Sequence, residues 1–188
     1  MIDILLAITG LNLLAAILMS IAVRRDFARV GQITLPNAIW AGIAMHGQFV
    51  VTFIVAWLDR GSLFAGDFWT VSAGWTLIAV GGAAIAAGRS AYASFKRVYG
   101  MKEDELIDHG IYRWTRNPQY IGYAAMFLGA AIASGSLWAL VLAGLFLVFI
   151  HGFITLVEEP HLKNVFGEIY ATYCQRVSRY WGYPRQAV

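Results

Sequence analysis

Asp108 to Tyr123 reads DHGIYRWTRNPQYIGY, and further along the chain stands an adjacent pair of carboxylates, Glu158-Glu159. Between them lie two apolar runs, Gln119 to Ala133 and Leu137 to Val157, joined by the small-residue turn Ser134-Gly135-Ser136. Two apolar helices that reverse at such a turn form a hairpin, which returns the Arg/Asn/Pro/Tyr cluster and the carboxylates to one membrane surface. That return decides the fold and predicts a site.

The composition places the hairpin in a bilayer. Of 188 residues, 59% are hydrophobic and 13% charged, against roughly 45–50% apolar usage in soluble domains. The mean hydropathy is +0.61. We expect an all-α integral membrane protein of about five transmembrane helices, one domain over residues 1–188, with spans near 2–23, 38–58, 68–88, 119–133 and 137–157. Ile2 to Val23 can cross a hydrocarbon layer of about 30 Å at about 1.5 Å per residue. With Asp3 in place of a basic leader, it reads as a membrane helix and not a signal peptide.

The third span carries Gly74, Gly81, Gly82 and Gly88 among alanines. Small side chains let helix backbones approach closely in lipid, so this span is the expected central packing helix. From Arg89 the pattern turns amphipathic, with Tyr92, Phe95 and Tyr99 among Lys96 and Arg97, and the third helix is expected to project past the membrane or bend along its surface. The polar stretch that follows carries Glu103, Asp104, Glu105 and Asp108.

Lys and Arg number three in the first loop, one in the second, six in the third and none in the hairpin turn; Lys163, Arg176, Arg179 and Arg185 follow in the tail. The positive-inside bias predicts an N-terminus outside, and a cytoplasmic third loop and tail. The net charge of +3 is scattered between apolar runs, which is not the footprint of a nucleic-acid surface.

Asn117-Pro118 suits a helix start, Asn as N-cap and Pro in the first turn. Arg116 and Tyr120 sit at the membrane boundary, either as interfacial anchors or as site residues. Two carboxylates at the end of a membrane helix oppose its dipole. His151, Thr155 and Glu158 would form one polar stripe on that helix, and ionisable groups at membrane depth face a cavity or one another. Glu158 and His161 have the Glu-x-x-His spacing of carboxylate metal sites, but no second copy exists, so no metal is expected. His46 and Gln48 in the second span suggest an interhelical hydrogen bond. Cys174, the sole cysteine, falls in a polar tail, and no acidic residue lies within a span to orient a histidine, so nucleophile triads lack their parts. No glycine-rich loop follows a strand, which excludes a Rossmann nucleotide site.

Gly110-Ile111-Tyr112-Arg113, Arg116-Asn117-Pro118-Gln119-Tyr120-Ile121-Gly122, and Glu158-Glu159 with Leu162, Phe166-Gly167, Tyr170, Tyr173 and Val177 resemble the isoprenylcysteine carboxyl methyltransferase and phospholipid methyltransferase superfamily. The resemblance covers Leu106 to Tyr183. It implies an S-adenosylmethionine-dependent membrane methyltransferase whose cofactor lies at the cytoplasmic end of the last helices, in segments 89–118 and 158–188. It also implies an opening toward lipid for a phospholipid or prenylated acceptor. Carried over by position, Gly110, Ile111, Tyr112, Arg116, Asn117, Pro118 and Tyr120 would form one wall of the cofactor site, and Glu158 and Glu159 the other. Arg116 would pair with the methionyl carboxylate. Glu158, Glu159 or His151 would take a proton from an amine acceptor. Where the carboxyl methyltransferases commonly have His, this chain has Asn117, which cannot titrate; this points away from the isoprenylcysteine branch. Two other readings stand beside this one: an NADPH-binding membrane reductase-like protein, since sterol reductases share a related Arg/Asn/Pro/Tyr block, and a non-catalytic membrane scaffold.

Overall fold

The computed structural model describes residues 2–92, 94–102 and 105–183, without the side chain of Phe95. Glu103, Asp104 and Arg185 lie outside the described residues. The elements are α1 (Ile2–Val30), α2 (Leu35–Leu58), α3 (Phe68–Ser90), the single turn α4 (Phe95–Val98), a 3₁₀ turn (Gly110–Arg113), α5 (Pro118–Ser134) and α6 (Leu137–Phe153). A π-helical turn (Ile154–Glu158) then leads directly into α7 (Glu159–Arg176). No strand occurs among the described residues.

Four helical runs are long and apolar enough to cross a membrane: α1, α2, α3 and the continuous run Leu137–Arg176. Helix α5 has 17 residues, about 25 Å at 1.5 Å per residue, and completes the hairpin as a short fifth crossing. Large apolar side chains point outward along the bundle, including Leu11, Ile43, Trp75 and Val148. Such a surface belongs against lipid, and the chain is a multi-pass membrane protein.

Three boundaries differ from the sequence expectation, each for a physical reason. Helix α1 continues to Val30, so Arg24, Arg25 and Arg29 ride on its last turns, where cations complement the negative end of the helix dipole. Helix α3 runs two residues past the expected Gly88 and ends at Ser90, after which the chain restarts as the short α4. The last membrane helix does not stop at Val157. The π-turn carries it past the carboxylates, so Glu158 and Glu159 lie inside a continuous helical run and not at its C-terminal end. The awkward dipole placement read from the sequence is thereby absent.

The third span is the packing helix, and α5 is its partner. A Cβ added to Gly74 would lie 2.5 Å from the Ala133 nitrogen and 2.6 Å from the Gly129 oxygen, and one added to Gly81 would lie 2.5 Å from the Gly122 oxygen. The two backbones touch. Opposite this seam, Tyr123, Phe127, Phe146, Ile150 and Ile154 fill the core between α5 and α6.

Each end of the bundle is tied across loops. At the hairpin tip the Asp59 carboxylate accepts from Ser136 Oγ at 2.6 Å, Ser62 Oγ at 2.7 Å and the Trp138 amide at 3.0 Å. Gly135 supplies the left-handed turn there, with φ of 60°. At the other end the Ile33 amide donates to the Gly100 carbonyl at 2.8 Å, joining the loop after α1 to the segment before α5.

Candidate active site

Backbone contacts from the segment after α7 fix the start of α5. The Arg116 amide donates to the Ser178 carbonyl at 3.1 Å, and the Gly182 amide donates to the Trp114 carbonyl at 3.2 Å. Trp181 stacks on Trp114. Asn117 occupies the N-cap position of α5 without capping it. Its Nδ2 reaches instead to the Arg179 carbonyl at 2.9 Å. Asparagine at this position therefore clamps the chain after α7 onto the membrane boundary, a role beyond starting a helix.

Arg116 and the carboxylate pair meet as the hairpin requires. Arg116 Nη1 lies 3.1 Å from Glu159 Oε1, donates to the Tyr170 hydroxyl at 3.2 Å and lies 2.7 Å from Cys174 Sγ. Glu159 is gripped from its other side by Arg179, whose Nε and Nη2 bond the two carboxylate oxygens at 2.7 and 2.8 Å. Burial works to raise the Glu159 pKa. The Arg179 hydrogen bonds, then the Arg116 charge, more than offset it and hold the carboxyl below its ordinary 4.5. Two guanidiniums on one carboxylate leave the cluster with a net positive charge. The Nε of Arg116 is buried and has no hydrogen-bond partner among the described residues.

Glu158 belongs to a different network. The Tyr120 hydroxyl hydrogen-bonds it, and Tyr112 donates to the Tyr92 hydroxyl at 3.3 Å within reach of its charge. Burial first, then the neighbouring phenol and the Glu158 charge, push the Tyr92 hydroxyl far up, so it stays neutral. Tyr173 donates to the Tyr112 carbonyl at 2.8 Å, which seats the 3₁₀ turn on α7. Gly167, at φ 52° and ψ −124°, bends α7 so that Tyr170, Tyr173 and Cys174 come back over Arg116.

Arg116, Glu158, Glu159 and the tyrosines around them line one cavity of about 270 Å³, with Arg179 and Cys174 behind its wall. Its polar end holds Tyr92, Tyr112, Arg116, Asn117, Glu158 and Glu159; its other end runs between α1 and α2 along Leu13, Ala16, Met19, Ala41 and Met45 to Asn12 and Gln48. Gln48 lies ten residues beyond Ala38, hence about 15 Å into the bilayer, and Asn12 Nδ2 donates to its Oε1 at 3.1 Å. The interhelical bond expected of the second span is thus made by Gln48, whereas His46, among the described residues, bonds the Gly42 carbonyl of its own helix.

Of the sequence-selected positions, Tyr112, Arg116, Asn117, Pro118, Tyr120, Glu158 and Glu159 border the cavity. Gly110 and Ile111 stand behind that wall. Gly110 opens the 3₁₀ turn at φ 60°, and the Ile111 carbonyl accepts from the Trp114 amide, so both set the position of Tyr112. The polar stripe of His151, Thr155 and Glu158 does not form. A π-turn takes about one more residue per turn than an α-turn, which rotates Glu158 into the cavity while His151 faces out to the Tyr180 hydroxyl, 2.6 Å away. His161 stacks on Phe27 with centroids 3.6 Å apart, away from any metal-like cluster among the described residues. Sequence reading missed Arg179, Tyr92 and Cys174 as site neighbours. Their only signal in the sequence is a lone aromatic, basic or cysteine residue in a polar stretch.

A multi-pass helical membrane protein with a charged cavity at one boundary and an apolar extension into the bilayer is the class that fold and site define. The family model for phospholipid methyltransferase matches residues 69–169, more than half of the chain, and the chain belongs to that family. A phosphatidylethanolamine N-methyltransferase of Eremothecium gossypii is 28% identical over 128 residues, 64% of this chain and 15% of that protein. Phosphatidylethanolamine N-methyltransferase B of Dictyostelium discoideum is 33% identical over 92 residues, 49% of this chain and 42% of that protein. A third, from Schizosaccharomyces japonicus, is 37% identical over 67 residues, which are 36% of this chain and 8% of that protein. The chain therefore spans well under two thirds of the length of the relatives it matches. No solved structure matches it.

Proposed function

We propose that this protein transfers a methyl group from S-adenosylmethionine to the head-group amine of a phospholipid lying in the bilayer. One observation carries the reading: a single cavity joins a charged end, where Arg116, Glu159 and Glu158 converge, to an apolar channel between α1 and α2. A zwitterionic cofactor fits the first and acyl chains the second. The names of the relatives favour a phospholipid amine over a prenylated acceptor.

The residues suit the cofactor. Arg116 and Arg179, held by Glu159 in a cluster of net positive charge, would receive the methionyl carboxylate, and the unpartnered Arg116 Nε supplies a buried donor that wants such an acceptor. Tyr112, Tyr120, Asn117 and Pro118 would form the wall beside it, with Gly110 and Ile111 positioning Tyr112. When bound, S-adenosylmethionine supplies an electrophilic methyl on a positively charged sulfur that departs as a neutral thioether.

The protein's own contribution is alignment, exclusion of water and the proton. A lipid ammonium must lose a proton before its nitrogen can attack, and the two glutamates are unequal to that task. Glu159 is committed to two guanidiniums and held below its ordinary pKa, which makes it a weak base. Glu158, hydrogen-bonded by the Tyr120 hydroxyl and bordering the cavity, is the proton acceptor. His151, turned out of the cavity toward Tyr180, is not. Segments 89–118 and 158–188 thus carry the site within a single membrane domain, 1–188, with the N-terminus outside and both segments cytoplasmic.

The test is purified protein in phosphatidylethanolamine vesicles with methyl-labelled S-adenosylmethionine. Label is expected in the mono-, di- or trimethylated lipid. Glu158→Gln should lower turnover by about 100-fold or more while cofactor affinity changes only a few-fold. A tight complex with NADPH and none with S-adenosylmethionine would overturn the reading, as would no complex with either.

A further inference from the structure

Three arginines border the cavity: Arg89, Arg97 and Arg116. Arg97 is paired with Glu105 at 3.0 Å and Arg116 with Glu159 at 3.1 Å. Arg89 differs. Its Nε donates to Gln119 Oε1 at 3.4 Å and its Nη2 to the Tyr123 hydroxyl at 3.1 Å, both neutral groups, and among the described residues no carboxylate balances it. A half-buried guanidinium on a cavity wall, held among the described residues by neutral dipoles, favours an anion.

Its placement says which anion. Arg89 is in the last turn of α3, beside the first turn of α5, at the end of a helix long and apolar enough to cross a membrane. Gln119 and Tyr120 are consecutive residues of that first turn: Gln119 holds Arg89, and Tyr120 holds Glu158. A cation and a carboxylate thereby border the same cavity, each held from the first turn of α5. In an ethanolamine phosphodiester the ammonium and the phosphorus are separated by two carbons and an ester oxygen, with opposite charges in the complementary order.

Building on the phospholipid reading above, we propose that Arg89 is the subsite for the phosphodiester of the acceptor lipid and fixes its amine against Glu158. Arg89 is then a specificity-determining residue: it selects amines that carry a phosphate over amines on a bare hydrocarbon chain. Gln119 and Tyr123 act through it by aiming the guanidinium. The fork of Arg89 matters as well as its charge, because two parallel donors match two phosphate oxygens, which a lysine ammonium does not.

The experiment compares two acceptors in phosphatidylcholine vesicles with methyl-labelled S-adenosylmethionine: phosphatidylethanolamine, and a long-chain primary alkylamine without phosphate. Wild-type protein is expected to prefer the phospholipid. Arg89→Gln should lower kcat/KM for the phospholipid by about 10- to 100-fold, leave that for the alkylamine within about threefold, and keep cofactor affinity unchanged, which establishes that the cavity is formed. Arg89→Lys should fall between. Equal losses on both acceptors, or an undisturbed preference in Arg89→Gln, would overturn the subsite while leaving methyl transfer intact. Absence of label from both lipids with wild-type protein would overturn the function and the subsite together.

Discussion

Two interfaces of this bundle use nearly the same apolar vocabulary and reach opposite results. Along α3 and α5, glycines stand opposite glycines and alanine, and the backbones meet with no room for a methyl group. Between α1, α2 and α6, larger and uneven side chains such as Met19, Met45 and Phe153 meet under a rim of arginines, tyrosines and glutamates, and a cavity remains. In lipid, apolar burial gives helices little reason to associate, so closeness is set by shape. The tight seam fixes the helix ends from which Arg89 and Arg116 project; the open side leaves the cavity.

The contrast breaks most severely if the seam is filled. Gly81→Val would drive a side chain against the Gly122 carbonyl, only 2.5 Å from the added Cβ. It should cost about 1–3 kcal/mol or more, seen as a lower midpoint of thermal unfolding in detergent and loss of cofactor binding. Gly82→Ala, one residue away with nothing within 4 Å of its added Cβ, should leave both unchanged. A tolerant Gly81 would mean that the seam is not what positions the site.

On the cavity side the corresponding probe is acid. The folded pKa of Glu159 lies below its ordinary 4.5, so its carboxylate stabilises the fold fully above that ordinary value. That contribution is lost as the pH falls through the lowered folded value. Thermal midpoints followed from pH 7 down to pH 3 should decline below about 4.5, and Glu159→Gln should flatten that part of the curve. An unchanged slope in the variant would remove Glu159 from the network that holds α7 to α5.

The smallest effect belongs to the far end. Asp59→Asn weakens acceptance from Ser62, Ser136 and Trp138 at the hairpin tip, worth about 1 kcal/mol. Cofactor affinity should not move. If it does, the two ends of the bundle are coupled and the tip is more than a tie.

Periodicity and length made the five crossings legible, because spans in lipid must be apolar for their whole length and cannot be disguised. The hairpin followed from Ser134-Gly135-Ser136, and with it the meeting of Arg116 and Glu159. The Arg116–Tyr120 block, through its resemblance to a known family, pointed to residues that border the cavity. Less visible was the difference between the two glutamates. Adjacent in sequence, they face different partners, and nothing in their own residue type distinguishes a carboxylate clamped by two arginines from one bonded by the Tyr120 phenol.

The amino-acid sequence by itself determined a multi-span helical membrane protein, its family and the two polar clusters that converge, because hydrophobic length and local turn chemistry are written residue by residue. Only the tertiary structure decided which groups do what. The π-turn at Ile154–Glu158 re-aims Glu158 by breaking the 3.6-residue register. The bend at Gly167 carries α7 back over Arg116, and Arg179 arrives from beyond the last helix to hold Glu159. Those outcomes depend on helix phase and on contacts between segments far apart in the chain, quantities that a local pattern of apolar and polar residues does not encode.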